Sequence, residues 1–125
     1  MHRCQEPECD EVATGFCEKH MPECAAVGCS DPRRSHLATY CEVHHKRNYF
    51  LHRNFNISLP EVEEMLDQQD NRCAICRRNG PATLHLDHCH ETGRIRGLLC
   101  GNCNRGIGLL AHDPEVLRRA ADYLA

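Results

Sequence analysis

The chain has 125 residues, 41% of them hydrophobic, but that share includes 11 cysteines, and Tyr and Phe supply three residues each with no Trp. Such material makes a thin core for one ordinary domain, so cross-links are expected to carry much of the stability. No apolar run approaches the ~20 residues of a membrane span, and the net charge of −3 rules out a uniformly basic nucleic-acid binder.

The odd cysteine count, the tight Cys-x2-Cys pairs and the regularly placed histidines speak for metal rather than disulfides. Met1-His2-Arg3-Cys4 runs into polar sequence without the apolar segment of a secretory signal, so a soluble, cytoplasmic protein is expected. The expected fold class is a small, zinc-stabilised α+β protein.

The first third contains a repeat. Cys4-x4-Cys9-x7-Cys17-x2-His20 is followed by Cys24-x4-Cys29-x11-Cys41-x2-His44. Each copy offers three thiolates and one imidazole, a closed tetrahedral zinc set. This predicts two zinc modules, residues 1–22 and 23–46, folded by metal binding rather than by apolar burial. His45 competes with His44 as the fourth ligand of the second. Residues 1–32 carry two basic and seven acidic groups, which suits bracing or protein contact. Residues 33–53 carry five basic groups and one acidic.

A basic, aromatic linker is expected over 47–57. Lys46 and Arg47 are candidate DNA contacts, while Tyr49 and Phe50 suit either base stacking or packing of a linker helix into the core. Ser58-Leu59-Pro60-Glu61 has the form of a capping box, with Ile57 and Val62 as a hydrophobic staple. Leu59, Val62, Met65 and Leu66 then follow helical spacing to about Gln69.

Beyond this helix come Cys73-x2-Cys76, a turn signal at Asn79-Gly80-Pro81, and two short strands. The strands are Thr83 to Asp87 and Ile95 to Leu99, joined through Thr92-Gly93, and a helix follows from Cys100 to about Leu110. Asp113-Pro114 opens a last helix over 111–125, with Val116, Leu117, Ala120, Ala121 and Leu124 as its expected buried stripe. Residues 72–105 carry six basic and two acidic groups, so positive charge gathers where the motifs are.

Two ligand grammars interleave between Cys73 and Asn104. Cys73, Cys76, Cys100 and Cys103 are soft donors at zinc spacing. Asp87-His88-Cys89-His90 and Asn104 form a harder oxygen-and-imidazole set that leaves room for water and substrate. That pattern predicts one metal for folding and another for chemistry.

At Cys73-x2-Cys76, Leu86-Asp87-His88-Cys89-His90, Thr92-Gly93 and Arg96-Gly97-Leu98-Leu99-Cys100-x2-Cys103-Asn104 the chain resembles the recombination endonuclease VII family, part of the HNH or ββα-metal nucleases. The likeness covers about residues 58–110, and family members are common in bacteriophages and prophages. It implies Mg²⁺- or Mn²⁺-dependent cleavage of DNA phosphodiesters by a hairpin-and-helix site. On that resemblance Cys73, Cys76, Cys100 and Cys103 are structural zinc ligands, His88 is the general base, Asp87 and Asn104 hold the catalytic ion, and His90 is the family's second histidine. Cys89 stands where relatives often carry an acidic residue.

Arg94 and Arg96 are placed to meet phosphates flanking the cut. Asn104 could instead serve only as a helix-start residue, and His52, His85 and His112 are expected at the surface or in packing. In a regular strand Asp87 and His88 would face opposite ways, so a shared site requires the strand to end or bulge there. The expected function is therefore a metal-dependent DNA endonuclease with three structural zinc ions, acting as a monomer or homodimer. The rivals are a zinc-dependent DNA-binding module without catalysis and a protein-interaction scaffold.

Overall fold

The computed structural model describes residues 5–11, 15–78, 80 and 84–125. Cys4, the turn residues Asn79 and Pro81, and Thr83 at the start of the first expected strand lie outside that set. Among the described residues are four α-helices, a 3-10 turn at Glu18–His20 and one two-stranded antiparallel sheet. The chain divides into two compact units, Met1–Val62 and Glu63–Ala125. No helix among the described residues is long and apolar enough to cross a membrane.

In the first unit the second cysteine-histidine repeat closes on itself through an antiparallel bridge between Glu23 and Pro32. The Cys24 N–H donates to the Asp31 carbonyl at 2.7 Å. Helix α1 (Glu42–Phe55) grows directly out of this repeat, so His44 lies in its first turn and the basic, aromatic segment continues the same helix. It stops at Asn56, whose left-handed backbone (φ 53°) lets its N–H donate to the His52 and Leu51 carbonyls. Packing of Tyr49 and Phe50 into the core is not found, since they are 59% and 55% exposed. Leu51 fills the inward position instead.

Helix α2 (Leu59–Gln68) begins with the expected capping box. The Ser58 N–H donates to Glu61 Oε2 at 2.7 Å, and the Glu61 N–H returns to Ser58 Oγ at 3.3 Å. Ile57 and Val62 are both buried, as a staple requires. Asp70 and Asn71 take left-handed backbone (φ 52° and 57°) after the helix, and the Asn71 N–H donates back to the Leu66 carbonyl.

In the second unit strands β1 (Leu84–His88) and β2 (Ile95–Cys100) pair antiparallel, with Leu84 opposite Cys100 and Leu86 opposite Leu98. The hairpin loop turns at Gly93, whose φ of +73° would strain any residue with a Cβ. Gln69, just past α2, binds the outer side of β2: its amide N–H₂ donates to the Leu98 carbonyl at 3.0 Å, and its Oε1 accepts the Leu98 N–H at 3.0 Å. Close approach of that oxygen explains Gly97, where an added Cβ would sit 3.1 Å from it. Gln69→Ala would leave the N–H of buried Leu98 short of a partner, while its carbonyl keeps the Ala74 N–H at 3.1 Å. A loss of about 1–3 kcal/mol in chemical unfolding is expected, and an unchanged midpoint would show the bridge to be idle.

Helix α3 (Gly101–Leu109) follows β2 without a loop, and its cap is sulfur: the Cys103 N–H donates to Cys100 Sγ at 3.4 Å. Helix α4 (Pro114–Leu124) starts as expected, with the Glu115 N–H on Asp113 Oδ1 at 2.9 Å. Its stripe does not form a buried face. Val116, Leu117 and Ala120 are half-buried, and Ala121 and Leu124 are exposed. The physical reason is the thinness of the unit, whose single hairpin is too small to cover a fourth helix.

Candidate active site

Three thiol-rich clusters, two of them with a histidine, gather among the described residues: Cys9, Cys17 and His20; Cys24, Cys29, Cys41 and His44; and Cys73, Cys76, Cys100 and Cys103. Within each, the ligand atoms lie within 4.8 Å of one another. Cys9 Sγ is 3.7 Å from Cys17 Sγ, and Cys76 Sγ is 3.8 Å from Cys100 Sγ. A zinc tetrahedron with Zn–S of about 2.3 Å has an edge of about 3.8 Å, whereas a disulfide bond measures about 2.05 Å. The residues therefore fit zinc and not a covalent bridge. Between the two candidate imidazoles the geometry selects His44, whose Nδ1 lies 3.2 Å from Cys41 Sγ and 3.5 Å from Cys24 Sγ. His45 lines a surface groove instead.

The four-sulfur cluster cannot ionise evenly without a cation. Burial opposes charge on Cys73, but backbone N–H groups of Cys100, Cys76 and Ile75 outweigh it and hold the thiol down to about 6. Burial, followed by the Cys100, Cys73 and Cys76 sulfurs, pushes Cys103 up to about 12. In the second cluster the Asp31 N–H favours the Cys29 thiolate, yet burial and the Cys24 and Cys41 sulfurs win and raise it to about 11. A dication is what would let all members become thiolates together.

The four-sulfur cluster ties the Cys73–Cys76 knuckle to the end of β2 and the first turn of α3, and the hairpin is distorted at its far end. Asp87 pairs with Gly97, but His88 pairs with Ile95, so Arg96 has no partner across the ladder. This is a β-bulge opposite the Asp87–His88 step, with Arg96 of β2 as its extra residue. Asp87 is the one buried charged residue among those described. The freed Arg96 donates from Nε to Asp87 Oδ2 at 2.7 Å and from Nη2 to Oδ1 at 3.1 Å. Its Nη2 also donates to the His88 carbonyl at 3.4 Å and to His112 Nδ1 at 3.2 Å. The Asp87 carboxylate raises the Arg96 pKa above its ordinary value, against the cost of burial.

Histidines surround this pair. The His88 and His90 rings are 4.7 Å apart between centroids, and His90 meets His112 edge-on at 5.7 Å. His112 reaches the cluster because Ala111 and His112 both adopt left-handed backbone (φ 59° and 53°) after α3, and the His112 N–H closes on the Ile107 carbonyl at 2.8 Å. Non-glycine residues rarely take that conformation. Of the surface and packing places expected for His112 the structure has the second, and the αL turn, which no residue type announces there, brings it in. A cavity of about 240 Å³ opens beside His112, lined also by Cys89, His90, Glu91 and Arg96. The Cys89 thiol is pulled below its ordinary range, first by the Thr92 hydroxyl and then by the Thr92 and Glu91 N–H groups.

Asn104 sits half-buried one residue beyond Cys103 of the four-sulfur cluster, on the helix that follows β2. A buried carboxylate beside imidazoles is the kind of donor that suits a hard cation keeping several waters, and the Asp87 carboxylate already holds a cation in the form of the Arg96 guanidinium. Arg94 is exposed on the hairpin loop. In the first unit, Lys46 and Arg47 are exposed on α1, and Lys46 lines a groove of about 380 Å³ with Arg34, Glu42, His45 and Tyr49.

Comparison with known proteins agrees with this geometry. The family model for recombination endonuclease VII matches residues 48–125, more of the chain than the 58–110 that the motifs outline. The "Gene 59 protein" of Mycobacterium phage D29 is 45% identical over 73 residues, and that of Mycobacterium phage L5 is 40% identical over 73 residues. Each alignment covers 56% of this chain and 44% of the relative, so the chain spans less than half the length of these curated relatives. From the four-sulfur clamp, the bulged hairpin and the matched residues together, the chain belongs to the recombination endonuclease VII family.

Proposed function

We propose that the protein is a metal-dependent DNA endonuclease of the HNH type, hydrolysing phosphodiester bonds at the bulged hairpin. The observation that carries this reading is the contact chain at the bulge, in which Asp87, His88, His90, Arg96 and His112 meet. His88 takes the proton of the attacking water, and His90 lies against it as support or substrate contact. Asp87 and Asn104 would hold Mg²⁺ or Mn²⁺. When bound, the ion supplies charge stabilisation at the phosphate and at the departing oxygen, worth several kcal/mol by the usual estimate. The three sulfur-rich clusters hold structural zinc.

Arg94 and Arg96 meet backbone phosphates beside the cut. On the first unit Lys46 and Arg47 add phosphate contacts, and exposed Tyr49 and Phe50 offer faces for base stacking. The setting is the cytoplasm of a bacterium or a phage-infected cell. One copy acting alone nicks one strand, while a symmetric homodimer cuts both, as branched DNA requires.

Supercoiled plasmid tests the reading. Relaxation or linearisation is expected only with added Mg²⁺ or Mn²⁺, and Asn104→Ala is expected to raise the half-maximal metal concentration about tenfold, the loss of one oxygen ligand. Cleavage that proceeds in chelator would end the metal-dependent assignment. An unchanged metal titration would return Asn104 to a helix-start role. Comparing a four-way junction with linear duplex at equal salt separates junction resolution from general nicking.

A further inference from the structure

The Asp87–Arg96 pair stands in the way of the proposed chemistry. Both carboxylate oxygens accept from the guanidinium, at 2.7 and 3.1 Å. A divalent cation needs at least one of them. The burial is uneven, since the Asp87 side chain is 8% exposed and Arg96 37%. The carboxylate is therefore fixed in the wall, while the guanidinium faces outward where a DNA phosphate can reach it.

Room for movement exists on both sides. Arg96 lines the cavity of Cys89, His90 and His112, and it also lines a second cavity of about 240 Å³ with Asp87, Ile75 and Ile107. Its backbone has no partner across the ladder, and its Nη2 already has other acceptors at His112 Nδ1 and the His88 carbonyl.

We propose that Arg96 is a latch: it occupies Asp87 until a DNA phosphate draws the guanidinium away, so that DNA and the divalent cation bind cooperatively. The inference rests on the reading of Asp87 as a cation ligand. Exchange of partners keeps charge balanced, because the phosphate neutralises Arg96 as the dication neutralises Asp87. Metal affinity without DNA is then reduced by the fraction of molecules whose latch is closed, and the coupling is reciprocal. Arg96 is in this sense a positioning residue, acting on the cation through Asp87. A free dication is kept out of the site until substrate is present.

Mn²⁺ binding followed by electron paramagnetic resonance tests this on the zinc-loaded full chain. A His88→Ala background keeps a short DNA duplex intact during the titration. In that background DNA is expected to tighten Mn²⁺ binding at least about fivefold, the low end of ordinary allosteric coupling. Arg96→Ala is expected to bind Mn²⁺ at least about fivefold tighter without DNA, and DNA then adds less than about twofold. Should Arg96→Ala melt early, Arg96→Gln removes the charge while keeping a hydrogen-bonding amide beside Asp87.

The sign separates the latch from a structural role, since a merely structural Arg96 would weaken Mn²⁺ binding when removed. Arg94→Ala removes a charge from the same hairpin without touching Asp87 and is expected to change DNA-free Mn²⁺ affinity less than about twofold, as screened exposed charges do. Mn²⁺ binding that is unchanged or weaker in the Arg96 variants overturns the latch alone. If Asp87→Asn also leaves Mn²⁺ affinity unchanged, Asp87 is no ligand, and the reading beneath the latch falls with it.

Discussion

Plasmid cleavage by the His88→Ala protein is expected to fall by about 10²- to 10⁴-fold, the usual worth of a positioned general base. That range equals about 2.7–5.5 kcal/mol of transition-state stabilisation. His88 is the last residue of β1, across from the bulge, half-buried and beside His90, so the imidazole is placed by the backbone rather than by a long flexible side chain. Because it is not buried in the core, its loss should leave the fold intact. Circular dichroism and melting of the variant are expected to match the parent, and loss of activity then reports chemistry. Cleavage within about threefold of the parent would remove His88 from the role of base.

The second large effect concerns folding. Removing the metal from the four-sulfur cluster, or replacing Cys73 by Ser, is expected to unfold the second unit. Structural zinc in small peptides contributes about 10–16 kcal/mol, as much as the whole stability of an ordinary domain, about 5–15 kcal/mol. Cys73 is fully buried, and the same four sulfurs join the knuckle, β2 and α3. Zinc content should be near three ions per chain, one for each cluster, and a value near one would mean that the first two clusters do not bind.

Zinc uptake by the stripped protein at pH 7 is also expected to release protons. Thiols of the unfolded, metal-free chain, with an ordinary pKa of about 8.5, hold most of their protons at that pH until the ion arrives. Titration calorimetry in buffers of different ionisation enthalpy reads that count, and zinc affinity should fall as pH falls because protons compete for the same sulfurs. A Cys73→Ser protein that melts within a few degrees of the parent would remove the cluster from its structural role.

Much of the site was legible because ligand chemistry imposes spacing. Cys73, Cys76, Cys100 and Cys103 announce a tetrahedron in one dimension, and Ser58 with Glu61 announces a helix start in the same way. What escaped depends on three dimensions. The bulge could be required by logic, since Asp87 and His88 are adjacent, but its extra residue proved to be Arg96, whose side chain then turned on Asp87. Gln69 gave no signal because its bonds to Leu98 cross 29 positions of sequence. The α4 stripe misled for the opposite reason: periodicity shows that a helix has an apolar side and cannot show that a surface exists to cover it.

The amide of Gln69 has one more effect. A two-stranded ribbon ordinarily leaves unpaired peptide groups along its margins, and such margins recruit neighbouring chains into extended ladders. Here the outward peptide groups of Leu98 are already satisfied by a side chain imitating a third strand. Strand addition by a neighbouring copy is blocked at that position of β2.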